Sequence, residues 1–219
     1  MATNARIRAD VGGVADGASR GEGSDGSVPT GKGYRSSLVW PDRIQRVSGA
    51  GSRCENGSVR DWTVAGALIL REDRLLLVAN RRRDGRIEWT PPGGVIDPGE
   101  TSLGALAREV REETGLDVTA WSDLVYGVSV DFSDRGMRLG VEVFLAEQWT
   151  GDLVFDDPDG IVEDGVFADA DDGSTLLETA PPWVCEPVGD WLAGRMSDGA
   201  RYDFLVRGTH PGHLDVTRR

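Results

Sequence analysis

Three glutamates set the chemistry open to this chain. Glu109, Glu112 and Glu113 stand three and four residues apart, so a helix through them would gather their carboxylates on one face. Like charges at that spacing cost about 0.2–0.5 kcal/mol per pair in an isolated helix. Arg108 can relieve Glu112 from one turn away, but the cluster stays net negative. A divalent cation would turn the repulsion into coordination, because hard cations prefer several carboxylate oxygens. The competing reading is a plain solvated face, the default for a Glu-rich helix. The spacing around the cluster tips the balance towards a site.

Those carboxylates need a turn and a helix to carry them, and the stretch from Gly94 to Leu116, GVIDPGETSLGALAREVREETGL, supplies both. Pro98 and Gly99 close the turn, and Thr101 is placed as the N-cap. Leu103, Leu106, Ala107 and Val110 recur at helical spacing and predict the buried stripe. Gly115 can take the left-handed residue past the last turn, with Leu116 folding back as its apolar partner.

The order is Gly94, five residues, Glu100, seven residues, Arg108-Glu109, Val110, Arg111, Glu112-Glu113, Thr114, Gly115 and Leu116. It resembles the box of the Nudix hydrolase family at every defining position. So many fixed positions are far more specific than a lone glycine motif. The resemblance implies a loop-helix that binds magnesium or manganese and cleaves a diphosphate linked to another group. It implies metal ligation by Gly94 (through its carbonyl), Glu109, Glu112 and Glu113. Glu109 is the preferred general base with Arg108 orienting it, although family members differ on which carboxylate has that role. Glu100 would anchor the loop to the helix from behind the ligands, and Gly115 is structural. Element order extends the resemblance loosely from about Asp61 to about Trp191.

Upstream, WTVAGALIL and LLLVAN read as two strands joined by Arg71-Glu72-Asp73-Arg74. Arg81, Arg82, Arg83 and Arg86 follow. They are either a charged loop or phosphate contacts, since the Arg fork matches phosphate oxygens. The family likeness points to Arg81 or Arg82 as substrate-binding. Trp89 reads as a packing residue rather than a stacking platform. Downstream, Leu124 to Phe132 and Met137 to Gln148 are strand-like about the turn Ser133-Asp134-Arg135-Gly136. Gly151 to Thr175 has no basic residue and nine acidic ones. In relatives one acidic residue of this region often completes the metal site, and Glu163, before a predicted strand Gly165 to Ala168, is the choice. Thr175 to Thr179 is expected to begin a helix stopped by Pro181-Pro182, and Val188 to Met196 to form a second, with Trp191 and Leu192 inward. His210 and His213 read as bystanders in a Gly/Pro-rich tail.

The net charge of −13 argues against a nucleic-acid binder, which would carry a basic face. It does not argue against a phosphate substrate, because bound metal inverts the local field. Cys54 and Cys185 lack partner spacing, as expected of a reducing compartment without disulfides or zinc. No secretory signal or membrane-length apolar run is visible, and a cytoplasmic protein without a membrane partner is expected. Residues 1–58 form an N-terminal extension, disordered or loosely docked, with Tyr34 to Val47 its most apolar part; residues 59–219 form the Nudix hydrolase domain.

The expected fold is α/β, a Nudix-type α/β/α sandwich over a mixed β-sheet. The expected activity is a metal-dependent pyrophosphohydrolase, with Mg2+ or Mn2+ as cofactor and a nucleotide-type small molecule as substrate. A nucleoside triphosphate, canonical or damaged, cut to monophosphate and pyrophosphate is preferred, because no marker of the ADP-ribose, coenzyme A or NADH subgroups follows the box. An ADP-ribose or sugar-nucleotide pyrophosphatase is the alternative, and a non-catalytic nucleotide-sensing module the rival of a different class. Oligomeric state stays open, a homodimer included.

Overall fold

The chain changes sheets at Ile69, and the site follows from that change. The computed structural model describes residues 59–209 and 213–219. In order they form β1 (Arg60–Leu68), β2 (Leu70–Arg71), β3 (Arg74–Arg81), β4 (Ile87–Thr90), β5 (Gly93–Val95), α1 (Ser102–Thr114), β6 (Asp117–Phe132), β7 (Met137–Thr150), β8 (Val162–Ala168), α2 (Ala170–Leu177), α3 (Pro182–Leu192), β9 (Ala200–Arg207) and β10 (Asp215–Arg218). The apolar runs of β1 and β3 lie in different sheets. β1 lies between β5 and β7 in a six-stranded sheet of order β10-β9-β6-β7-β1-β5. That sheet is mixed, with β1–β7 and β6–β9 parallel and its other pairs antiparallel. β3 instead pairs antiparallel with β2, β4 and β8 in a four-stranded sheet.

Why β3 reads as an unbroken apolar run is then clear. It is buried from Leu75 to Asn80, and its two faces feed different cores. Leu75 and Leu77 join Leu68, Val130, Phe132 and Phe204 in one cluster, with Leu177 of α2 and Trp183 and Val188 of α3. Leu76 joins Ala65, Ala67, Ile69, Leu106, Val110 and Leu116 in the other, beneath α1. The Phe132 and Trp183 rings meet edge to face at 5.5 Å. Helix, sheets and helices therefore form the α/β/α sandwich anticipated from the sequence.

The box helix starts and stops as its residues dictate. Thr101 has extended backbone and its hydroxyl accepts the Gly104 N–H at 3.1 Å. Gly115, at φ 74°, donates its N–H to Arg111 O at 3.0 Å, and Leu116 is fully buried. The buried stripe is rotated from the expected one. Ala105, Leu106, Glu109, Val110 and Thr114 face inward, while Leu103 is exposed and Ala107 only half-buried. The stripe turns because Glu109 faces the Gly94 loop. Thr101→Ala removes the cap acceptor and should cost about 1 kcal/mol; thermal melting should show a midpoint about 2–4 °C lower.

Three expectations after β8 need correction. α2 runs Ala170–Leu177 behind an Asp169 cap, so the predicted start at Thr175 lies near its end. Pro181-Pro182 does not merely stop a helix: Pro181 is the N-cap of α3 and Pro182 its first residue. A missing N–H costs nothing in a first turn, and the fixed φ suits it. The predicted helix Val188 to Met196 is thus the second half of α3 displaced, since α3 ends at Leu192. The tail adds β9 and β10, where Tyr202, Phe204 and Val206 alternate inward. The extension expected over residues 1–58, with Cys54, and His210 lie outside the described residues. No helix among the described residues is long and apolar enough to cross a membrane.

Candidate active site

A cleft opens where β1, β5 and α1 meet the ends of β3 and β4. Its apolar lining comes from Tyr126, Val128, Leu139, Val141 and Val143 of the six-stranded sheet and Trp183, Val184 and Val188 of α3. Its polar and backbone lining comes from Gly93, Gly94, Glu109, Glu113, Asp157, Asp159, Arg82, Glu88 and Asn80.

The carboxylates reach this cleft because α1 packs against β1 and β5. Glu109 is buried beside Gly94, and a Cβ built on Gly94 would lie 2.7 Å from each Glu109 carboxylate oxygen. A side chain at Gly94 could be housed only if the Glu109 carboxylate moved. Glu113 accepts the Gly93 N–H at 2.9 Å. Burial, above all, pushes its carboxyl well above the usual range, and the charges of Glu109 and Asp157 push the same way. The Gly93 N–H and the Arg82 charge oppose them. Several acidic groups are thus crowded in a poorly solvated place.

Arg108 holds the loop to the helix. Its Nε and Nη2 donate to the two Glu100 oxygens at 3.0 and 2.9 Å, its Nη1 to Glu109 at 2.7 Å and to Glu112 at 3.3 Å, and Nη2 also reaches Val95 O at 3.4 Å. The Glu100 hydrogen bond is the main reason its guanidinium is held above its ordinary pKa. Glu100 also accepts the Asp97 N–H at 3.0 Å. Glu112 lies on Arg108 and does not line the cleft.

The two arginines part company. Arg82 lines the cleft and donates from Nε to the buried Glu88 at 2.8 Å. Arg81 is exposed outside it, ion-paired through Nε and Nη2 with Glu163. That pairing sets Glu163 apart from the carboxylates of the cleft, at a point where the β3–β8 register shifts between Ala79 and Asn80. Val162 is buried while Glu163 and Asp164 are both exposed. Two acidic residues of that segment line the cleft, Asp157 and Asp159, and Asp157 is the one whose charge bears on Glu113. The Asp157 carboxylate accepts the N–H groups of Asp159, Ile161 and Val162 at 2.7–2.9 Å. Sequence reasoning passed over Asp157, Asn80 and Glu88. Asp157-Pro158-Asp159-Gly160 carried a turn signal for the first, while the others looked like ordinary strand residues. Trp89 packs against the core, as expected.

Among the described residues no three acidic, histidine or cysteine side chains converge closely enough to hold a metal in this geometry. The donor set nonetheless suits a hard cation: oxygen groups of like charge, with Glu113 enclosed and Gly94 leaving no room between backbone and carboxylate.

Comparison with known proteins agrees with this picture. The family model for the NUDIX domain matches residues 61–179, more than half of the 219-residue chain. An 8-oxo-dGTP diphosphatase of Proteus vulgaris is 42% identical over 65 residues, 30% of this chain and 55% of that enzyme. The asymmetrical bis(5'-nucleosyl)-tetraphosphatase of Mus musculus is 51% identical over 45 residues, 20% of this chain and 29% of that enzyme. The chain thus spans little more than half the length of these curated relatives at most. A NUDIX hydrolase structure from Nitrosomonas europaea superposes with a TM-score of 0.55 at 23% identity, covering 64% of this chain and 93% of that one. That likeness concerns the fold.

Proposed function

The chain belongs to the Nudix hydrolase family, and we propose that its cleft hydrolyses a nucleoside triphosphate, canonical or damaged, to monophosphate and pyrophosphate. One observation carries the reading: the buried Glu109 and half-buried Glu113 carboxylates stand against the Gly93-Gly94 backbone in a cleft that is also lined by apolar side chains of β6, β7 and α3. A ligand matching both kinds of lining has an anionic part and a flat apolar part, as a nucleotide does. The named activities of the two curated relatives, both on nucleoside polyphosphates, support the same substrate class.

Glu109, Glu113 and the Gly94 carbonyl would hold magnesium or manganese, Glu112 would join them only by leaving Arg108, and Asp157 is our choice over Glu163 for the further carboxylate because it lines the cleft. The bound ion supplies charge neutralisation on the diphosphate and acidifies water. Glu109 accepts the proton of the water that attacks phosphorus in line. A new P–O bond forms to that water, and the bond to the leaving phosphate oxygen breaks. Arg108 fixes Glu109 for this task and ties it through Glu100 to the loop. Arg82 reaches substrate phosphate from the rim, its charge balanced at rest by Glu88. Arg82→Ala should therefore raise KM by about tenfold with a smaller fall in kcat, because a contact equal in ground and transition states affects binding alone; steady-state kinetics on the best triphosphate read out the split.

The test of the reading is product analysis with magnesium across triphosphates, ADP-ribose, sugar nucleotides and dinucleoside polyphosphates. Monophosphate and pyrophosphate from a triphosphate are expected. A kcat/KM for ADP-ribose or a sugar nucleotide well above every triphosphate would overturn the substrate, and no turnover with any of them would overturn the hydrolase.

A further inference from the structure

Asn80 carries an unused acceptor. Its side chain is only 7% exposed, yet it lines the cleft. The amide orientation is fixed by its neighbours. Nδ2 lies 3.2 Å from Val78 O, 3.4 Å from Glu88 O and 3.0 Å from Thr90 Oγ1. Two of these are carbonyls, which only accept, so the nitrogen and not the oxygen must face them. No hydrogen bond to Oδ1 occurs among the described residues. Nor is that oxygen sealed away. The single sealed side-chain nitrogen or oxygen without a partner among the described residues is Trp62 Nε1. Oδ1 therefore opens into the cleft, and a buried amide oxygen left without a donor is costly unless water or a ligand supplies one.

A second acceptor stands beside it. Asn80 and Glu88 are directly paired residues of β3 and β4, so their side chains share one face about 4.5–5.5 Å apart at Cβ. Glu88 accepts only; its Oε2 meets Arg82 at 2.8 Å and its Oε1 lies 3.7 Å from Arg86 Nη2, which leaves lone pairs on both oxygens. Two neighbouring acceptors call for two neighbouring donors on the ligand. Trp183, Val184 and the valines of β6 and β7 offer the apolar wall for a flat ring.

Resting on the nucleotide reading above, we propose that Asn80 Oδ1 and Glu88 form the base-reading edge of the cleft and select a guanine-type base, whose imide N–H and exocyclic amine are adjacent donors. Adenine presents a donor next to an acceptor on the corresponding edge, which would face Glu88 or Asn80 lone pair to lone pair. A site built to receive N–H groups rejects analogues that lack them more strongly than an apolar pocket rejects a methylene.

Wild-type enzyme with dGTP, dITP and dATP tests this without a variant. dGTP should exceed dITP, which lacks the exocyclic amine, by about tenfold in kcat/KM, and dATP by about a hundredfold. Asn80→Ala should bring dGTP and dATP to within about threefold of each other, mainly by raising KM for dGTP. Calorimetric binding of dGMP, dIMP and dAMP to metal-free wild type separates recognition from hydrolysis. A preference for dGMP without turnover of any triphosphate would uphold the base edge and sink the hydrolase. Equal kcat/KM for dGTP and dATP, or equal affinity for dGMP and dAMP, would overturn the base edge while leaving the hydrolase standing.

Discussion

Replacing either Glu109 or Glu113 by glutamine should cut turnover by about two to four orders of magnitude, with the fold intact. Each change keeps the shape of the side chain and removes one negative charge from the place where a cation must be held. Stability should move the other way without metal. Glu113 is enclosed beside Glu109 and Asp157, and burial disfavours its ionised form; an amide removes that charge. Melting in EDTA should give a midpoint equal to or above wild type for Glu113→Gln. Added magnesium, which stabilises wild type by mass action, should then stabilise the variant far less. Comparable kcat in wild type and both variants at saturating magnesium would remove these residues from the chemistry.

Gly94→Ala should be as damaging by a different route. The added Cβ would lie 2.7 Å from both Glu109 oxygens, inside any tolerable contact. Either the carboxylate swings away, losing its 2.7 Å bond from Arg108, or β5 shifts off β1, with which Gly94 pairs through Ala65. Activity should fall by at least about a hundredfold, since misplacing a catalytic group by about 1 Å costs that much. Stability should fall by about 1–3 kcal/mol, the usual price of overpacking. Gly99→Ala is the control. Nothing lies within 4 Å of a Cβ there, but φ is +93°, so it should lose stability with little loss of kcat. A Gly94→Ala enzyme with wild-type kcat would show that Glu109 does not need its present position.

The parts legible in the sequence were those encoded locally. Thr101, Gly115 and Leu116 fixed the ends of α1 through a hydroxyl acceptor, a left-handed residue and its apolar cover, all within a few residues of one another. The carboxylate cluster followed from helical spacing. What failed depended on partners far along the chain. Nothing near Ile69 says that β1 and β3 enter different sheets, because both are apolar whichever neighbours they take. The prolines at the start of α3 misled because the same residue ends one helix and begins another. β9 was readable in principle, since Tyr202, Phe204 and Val206 alternate, but the surrounding glycines and prolines drew the eye to a tail.

The crossing at Ile69 also has an evolutionary side. Gly93, Gly94 and the helix that carries Glu109 and Glu113 belong with the six-stranded sheet, whereas Asn80, Arg82, Glu88 and Thr90 belong to β3, β4 and the loop between them. On the proposed roles, bond-breaking and reading of the substrate would thus lie on separate pieces of backbone, joined at Ile69, where Leu76 N–H donates to Ile69 O, and again between Thr90 and Gly93. Drift along β3 and β4 can exchange one preferred substrate for another while the carboxylates keep their places. A lineage built this way can change what it cuts in single steps, without passing through an ancestor that cuts nothing.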